Sequence, residues 1–129
     1  MTESNRIRVL CVDDSADLVK MIAALVARQP DLEDVGTLGS ADNVVDEVER
    51  SRAAIVVMDL TMPGLPPLDA IRQLAARCTW CRVIAYSGYD DAKTVAGALQ
   101  AGARTLVSKH GDPSDILHAI RGIAAAPAV

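Results

Sequence analysis

The sequence predicts an α/β domain: a doubly wound, five-stranded parallel sheet with helices on both faces. Three observations carry that expectation. Short aliphatic runs alternate five times with segments of helical period, the rhythm of repeated βα units. The runs are apolar almost throughout, as strands buried on both faces must be. Half of the 129 residues are apolar, yet there is no Phe, one Trp and two Tyr, so the core must be aliphatic. A chain of this length is one domain with room for a substantial core.

The first strand is Arg6 to Val12, alternating at first and then continuously apolar until it stops at Asp13-Asp14. Ser15 caps the helix that follows and Asp17 adds negative charge to its first turn. Leu18, Ile22, Leu25 and Val26 give the helix its apolar stripe, and Pro30 ends it. Asp31 to Gly39 holds a weak second strand around Val35, and Ala41 to Arg50 reads as a helix with Val44, Val45 and Val48 inward. Ala53 to Met58 is the most apolar strand, ending on Asp59 before the turn Met62-Pro63-Gly64. Pro66-Pro67 opens the third helix, since proline fits only the first turn, and Leu68, Ile71, Leu74 and Ala75 continue it to about Arg77. Arg82 to Tyr86 is the fourth strand and delivers Ser87-Gly88. Asp90 is the expected cap of the fourth helix, with Ala92, Val95, Ala96 and Leu99 as its stripe and Gly102 as its stop. Arg104 to Ser108 is the fifth strand, ending at Lys109. Asp112 as cap, Pro113 at the first position and Asp115 in the first turn announce the last helix, with Ile116, Ile120 and Ile123 inward. The domain is expected over residues 1–124, with 125–129 a tail or the start of a linker.

Right-handed crossovers with helices on both faces imply the strand order 2-1-3-4-5, a flavodoxin-like (βα)5 arrangement. Strands one and three are then neighbours at the switch point. Asp13, Asp14 and Asp59 converge on one crevice at the carboxyl edge, where Ser87 and Lys109 also end their strands. Three carboxylates together resist ionisation unless a cation is present. Mg²⁺ suits such oxygen ligands. Lys109 adds a fixed positive charge and Ser87 a hydroxyl. One carboxylate among a metal, an ammonium and a hydroxyl is a receiver for a phosphoryl group, with Asp59 as nucleophile.

The remaining composition narrows the alternatives. The net charge is −4 without a cluster of Lys and Arg, which argues against direct contact with nucleic acid or an anionic membrane. No apolar run is long enough for a membrane span or signal peptide, and three cysteines fit a reducing compartment, so the expected location is cytoplasmic. Cys78-Thr79-Trp80-Cys81 has CxxC spacing but follows a helix instead of opening one, the wrong end for a lowered thiol pKa, and no second pair completes a zinc site. Cys11 reads as a buried small residue.

The motifs Val12-Asp13-Asp14-Ser15, Met58-Asp59-Leu60-Thr61-Met62-Pro63-Gly64, Ser87-Gly88, Ala101-Gly102-Ala103 and Lys109, in this order and spacing, resemble a response-regulator receiver domain of two-component signalling over essentially the whole chain. The resemblance implies a phosphoacceptor that catalyses its own phosphorylation and dephosphorylation rather than an enzyme acting on a separate substrate. Asp59 would take its phosphoryl group from a histidine kinase or phosphotransfer protein. Asp14, Asp59 and the carbonyl of Thr61 would bind Mg²⁺, with Asp13 acting mainly through water. Ser87 would move to hold the phosphoryl group and Lys109 would pair with it. Partners implied are that kinase and an output domain or downstream protein. The Ala-Gly-Ala turn and last helix resemble receivers carrying helix-turn-helix outputs, and the helix-four to helix-five face leaves room for a homodimer.

Three features depart from the family pattern. Leu106 occupies the switch position where an aromatic is usual. His110 follows the lysine where a cis proline is usual; a cis bond before a non-proline costs about 3 kcal/mol, so a trans bond or a strained loop is expected. Pro66-Pro67 replaces a small residue and glycine after the phosphorylation loop. Tyr89, two residues after Ser87, is placed either to shield a phosphoryl group from water or simply on the surface, and His110 and His118 read as surface residues. The departures at Leu106 and His110 motivate the alternative of a pseudo-receiver, a phosphorylation-independent protein-interaction module. A phosphate-ester hydrolase with an Asp nucleophile would want an acid where Thr61 stands, and a flavin site would want stacking aromatics and a hydroxyl-rich loop.

Overall fold

The structure, a computed structural model, describes residues 5–125. Five strands, β1 (Ile7–Val12), β2 (Leu32–Leu38), β3 (Ile55–Asp59), β4 (Arg82–Ser87) and β5 (Thr105–Ser108), alternate with five helices, α1 (Ala16–Ala27), α2 (Val44–Ser51), α3 (Pro67–Arg77), α4 (Ala92–Ala101) and α5 (Ser114–Ala125). All pairings are parallel and the sheet order is β2-β1-β3-β4-β5, as expected. The tail expected at 125–129 lies, beyond Ala125, outside the described residues.

Side chains alternate across a strand, so the sheet divides its apolar residues between two faces. Leu10, Val12, Val56, Met58, Val83 and Ala85 pack with the buried residues of α2, α3 and α4. Val9, Cys11, Ile55, Val57, Ile84 and Tyr86 pack with α1 and α5. β3 lies at the centre, every residue of it buried. The weak second strand has a physical cause: Val9 pairs with Asp34 and Leu10 with Gly36, leaving Val35 as a bulge, and Gly36 takes a φ of +141° there.

The helix signals mostly hold, with instructive shifts. Ser15 caps α1, its hydroxyl accepting from the Leu18 amide at 3.3 Å. Proline opens α3 at Pro67, with Pro66 as the cap. The cap of α4 is Asp91 and not Asp90: its carboxylate accepts from the Thr94 amide at 3.2 Å and the Thr94 hydroxyl at 2.7 Å. The buried residues of α4 are Ala98 and Ala101, whereas Ala92, Ala96 and Leu99 are exposed, so the expected stripe was out of phase. Ala75 of α3 is likewise exposed. α2 starts at Val44, because Ala41 to Asn43 form a turn. In α5, Asp112 accepts from the Ser114 amide at 2.8 Å and the helix starts one residue past Pro113.

Candidate functional site

The site is built by strand parity at the carboxyl edge. Asp13 continues the parity of Val9 and Cys11, Asp59 that of Ile55 and Val57, and Lys109 that of Val107, all on the α1/α5 face. β1 and β3 pair as far as Val12 with Met58, so Asp13, just past β1, and Asp59, the last residue of β3, stand side by side at the edge. Asp13, Asp14 and Asp59 each bring an oxygen within 4.8 Å of the others. Asp13 and Asp59 are 3% exposed, whereas Asp14 is exposed at the rim.

Lys109 closes the cluster from β5. Its ammonium donates to Asp13 Oδ2 at 2.9 Å and lies 3.2 Å from Asp59 Oδ1. It also sits 5.5 Å from the centre of the buried Tyr86 ring, a cation–π contact that steadies the stem. The remaining bonds are local: the Ser15 amide donates to Asp13 Oδ1 at 2.9 Å and the Thr61 amide to Asp59 Oδ1 at 3.1 Å. Asp59 Oδ1 is therefore shared by Thr61 and Lys109. No donor among the described residues meets Asp59 Oδ2. Asp59 is only 3% exposed, so this oxygen stands at a nearly closed edge without a protein donor.

Charge follows this packing. Burial raises the pKa of Asp59, and Asp13 raises it further; the Thr61 amide and Lys109 pull it back without cancelling the rise. For Lys109 burial pulls the pKa down, but the bonds and charges of Asp13 and Asp59 outweigh it and the net direction is up. A buried acid cluster with one ammonium remains short of positive charge. Its oxygens form the hard, anionic set that a divalent cation of the Mg²⁺ kind takes.

Ser87 stands apart from this cluster. It follows Val83 and Ala85 in parity, facing α2, α3 and α4, and its hydroxyl accepts from the Tyr89 amide at 2.9 Å. With Leu60, Thr61, Leu68, Tyr89 and Gly97 it lines a cleft of about 560 Å³ between α3 and α4. Leu106 shares the parity of that face and packs, half-buried, against its core. Tyr89 is 66% exposed beside the cleft. Two contributors were not foreseen in the sequence. Asp42, in the β2–α2 loop, accepts from the Leu65 amide at 2.8 Å and so pins the turn after Asp59. Tyr86 supports Lys109. Neither belongs to a local motif; only the sheet order brings them to the site.

The cysteines lie elsewhere. Cys78 caps the end of α3 and Cys81 precedes β4; both are buried and free, and burial raises the thiol pKa of each, that of Cys81 to about 12. Burial likewise pushes Cys11 to about 12. None is a thiolate at neutral pH.

The sequence model of the response regulator receiver domain family matches residues 9–121. This chain belongs to that family. It is 36% identical over 110 residues to a protein-glutamate methylesterase/protein-glutamine glutaminase of Myxococcus xanthus, covering 84% of this chain and 32% of that protein. It is 27% identical over 120 residues to the transcriptional regulatory protein DegU of Brevibacillus brevis, covering 93% and 51%. The receiver thus spans between a third and a half of the length of these relatives. Among solved structures, the response regulator domain of Thermotoga maritima CheB superposes with a TM-score of 0.84 at 26% identity, covering 95% of this chain and 99% of that one. A LuxR-family response regulator from Aurantimonas sp. superposes with a TM-score of 0.87 at 28% identity, covering 93% and 86%. No helix among the described residues is long and apolar enough to cross a membrane.

Proposed function

We propose that this receiver accepts a phosphoryl group on Asp59 and signals through the loop that follows β4. The observation that supports it best is the asymmetry of the Asp59 carboxylate: Oδ1 is tied to Thr61 and Lys109, while Oδ2 meets no donor among the described residues and lies beside two further acids. A structural carboxylate would have both oxygens satisfied. A nucleophile needs one of them free.

Asp13, Asp14 and Asp59, with the carbonyl of Thr61, would hold Mg²⁺, which supplies positive charge against the equatorial oxygens of the transferring group. Asp59 Oδ2 forms the new bond to phosphorus as the P–N bond of a donor phosphohistidine breaks, and the imidazole nitrogen keeps that electron pair. Lys109 lies 3.2 Å from the other Asp59 oxygen, close enough to pair with the phosphoryl group once it is in place. Ser87 starts on the opposite face, so its hydroxyl must release the Tyr89 amide and turn toward the acid cluster to bond the new oxygens. That turn is the signal. The donor is a histidine kinase or phosphotransfer protein, and the recipient an output domain or downstream protein. The methylesterase and transcriptional regulator among its relatives represent two kinds of output. Such a domain acts in the cytoplasm. An intact acid cluster with its lysine weighs against a pseudo-receiver, despite Leu106 and His110.

The test is incubation with acetyl phosphate and Mg²⁺, followed by intact-mass analysis. One phosphoryl group per wild-type chain and none on Asp59→Asn is expected. An unmodified wild type, or modification that persists in Asp59→Asn, would sink the proposal.

A further inference from the structure

His110 is exposed, as expected, but its ring is tied to the fold. No cis peptide bond occurs among the described residues, so the Lys109–His110 bond is trans. The His110 amide donates to Ser108 Oγ at 3.1 Å, which turns the chain sharply after β5. Its ring then reaches across to the neighbouring strand's loop, with Nε2 2.9 Å from the carbonyl oxygen of Gly88. A carbonyl can only accept, so Nε2 carries the proton and donates.

The place of this bond in the sheet gives it meaning. The β4–β5 ladder ends with Ser87 opposite Ser108, and its last rung runs from the Lys109 amide to the Ser87 carbonyl at 2.8 Å. One residue farther on, no backbone amide is left to meet Gly88. The His110 ring supplies the missing donor and extends the clamp by one residue, to the segment that must turn if Ser87 is to face Asp59. A proline at this position would offer neither a backbone donor nor a side-chain one.

We infer that His110 is a positioning residue, whose bond to the Gly88 carbonyl holds the β4–α4 loop in the arrangement that keeps the Ser87 hydroxyl on the Tyr89 amide. This rests on the reading of Asp59 as phosphoacceptor and adds a regulatory contact to the same site. Leu106 offers no ring to couple the β4–α4 loop to β5; the His110–Gly88 bond makes that coupling directly, between the segment carrying Ser87 and the segment carrying Lys109. Because the bond favours the resting arrangement, its loss shifts the population toward the turned one.

The experiment compares wild type, His110→Ala and His110→Gln by titration with beryllofluoride and Mg²⁺, followed by amide NMR. A net hydrogen bond corresponds to a shift of about five-fold in such an equilibrium. His110→Ala is expected to take up the phosphoryl mimic about five-fold more tightly. Before any addition, its Tyr89 amide resonance should already be displaced toward the position seen in loaded wild type. His110→Gln, whose amide N–H has nearly the reach of Nε2, should restore both readouts. Equal midpoints and an unmoved Tyr89 resonance in His110→Ala, weaker uptake by that variant, or a Gln variant that behaves like the Ala variant would each overturn the inference. Wild type that takes up no beryllofluoride would instead bring down the phosphoacceptor reading, and the inference with it.

Discussion

Lys109 is the residue on which the acid cluster depends for its charge balance. Asp13 and Asp59 are each 3% exposed, and the ammonium is the nearest cation to both. Removing one partner of a buried pair leaves the other uncompensated, which costs more than the pair is worth. With Lys109 partly exposed, Lys109→Ala should cost about 1–3 kcal/mol at neutral pH, measured by urea unfolding without divalent cation. The pH dependence has a definite sign. The folded-state pKa of Lys109 is raised, so its stabilisation is fully present below the ordinary lysine value of 10.5 and is lost as pH rises through the higher folded value. The wild-type advantage over Lys109→Ala should therefore be flat across neutral pH and fall away only in strong alkali. Asp13, Asp59 and Lys109 were legible in the sequence because each directly follows or ends an aliphatic strand. Tyr86 and Asp42 were not, since a ring beneath an ammonium and a carboxylate pinning a distant loop leave no local trace.

At the scale of elements, strands were easier to read than helix faces. Branched aliphatic runs that end on charge leave little choice of period. α4 is different: it is rich in alanine, so the contrast between its faces is weak, and a stripe through Leu99 looked as good as the true one through Ala98 and Ala101. Small residues were the better signal, because they let α4 lie close to α3 and the sheet, leaving Leu99 46% exposed. The same close approach explains Gly102. It ends α4 with a φ of +125°, and a Cβ there would stand 2.9 Å from the Cβ of Ala75. Gly102→Ala combines a conformation that L residues avoid with a contact that must open, so it should cost about 1–3 kcal/mol. Chemical unfolding of the purified variant measures this, and a neutral result would mean that α3 and α4 separate freely. Helix caps failed by a single residue where two acids adjoin: Asp90 and Asp91 are equivalent in sequence, and only the backbone turn selects Asp91.

The whole molecule sets a stable sheet against an unstable edge. Two aliphatic layers bury the sheet on both faces, while the carboxyl edge gathers three acids that the layers cannot neutralise. Burial raises the pKa of Asp59, so above that pKa its ionised form subtracts from stability, and the penalty disappears as pH falls below the ordinary carboxylate range. A divalent cation bound by the native cluster and not by the unfolded chain offsets that penalty by mass action. At about a hundred times its dissociation constant, Mg²⁺ should add about 2.7 kcal/mol to the unfolding free energy. The gain should shrink as pH drops through the Asp59 titration, because the proton and the cation compete for the same oxygens. Asp14→Asn should lose most of it while leaving the cation-free stability little changed, since Asp14 lies exposed at the rim. Thermal unfolding across a Mg²⁺ titration at two pH values distinguishes this from a general salt effect, which would act equally on wild type and Asp14→Asn. Equal gains in the two proteins would mean that the three acids are not a cation site, and that Lys109 alone balances the edge.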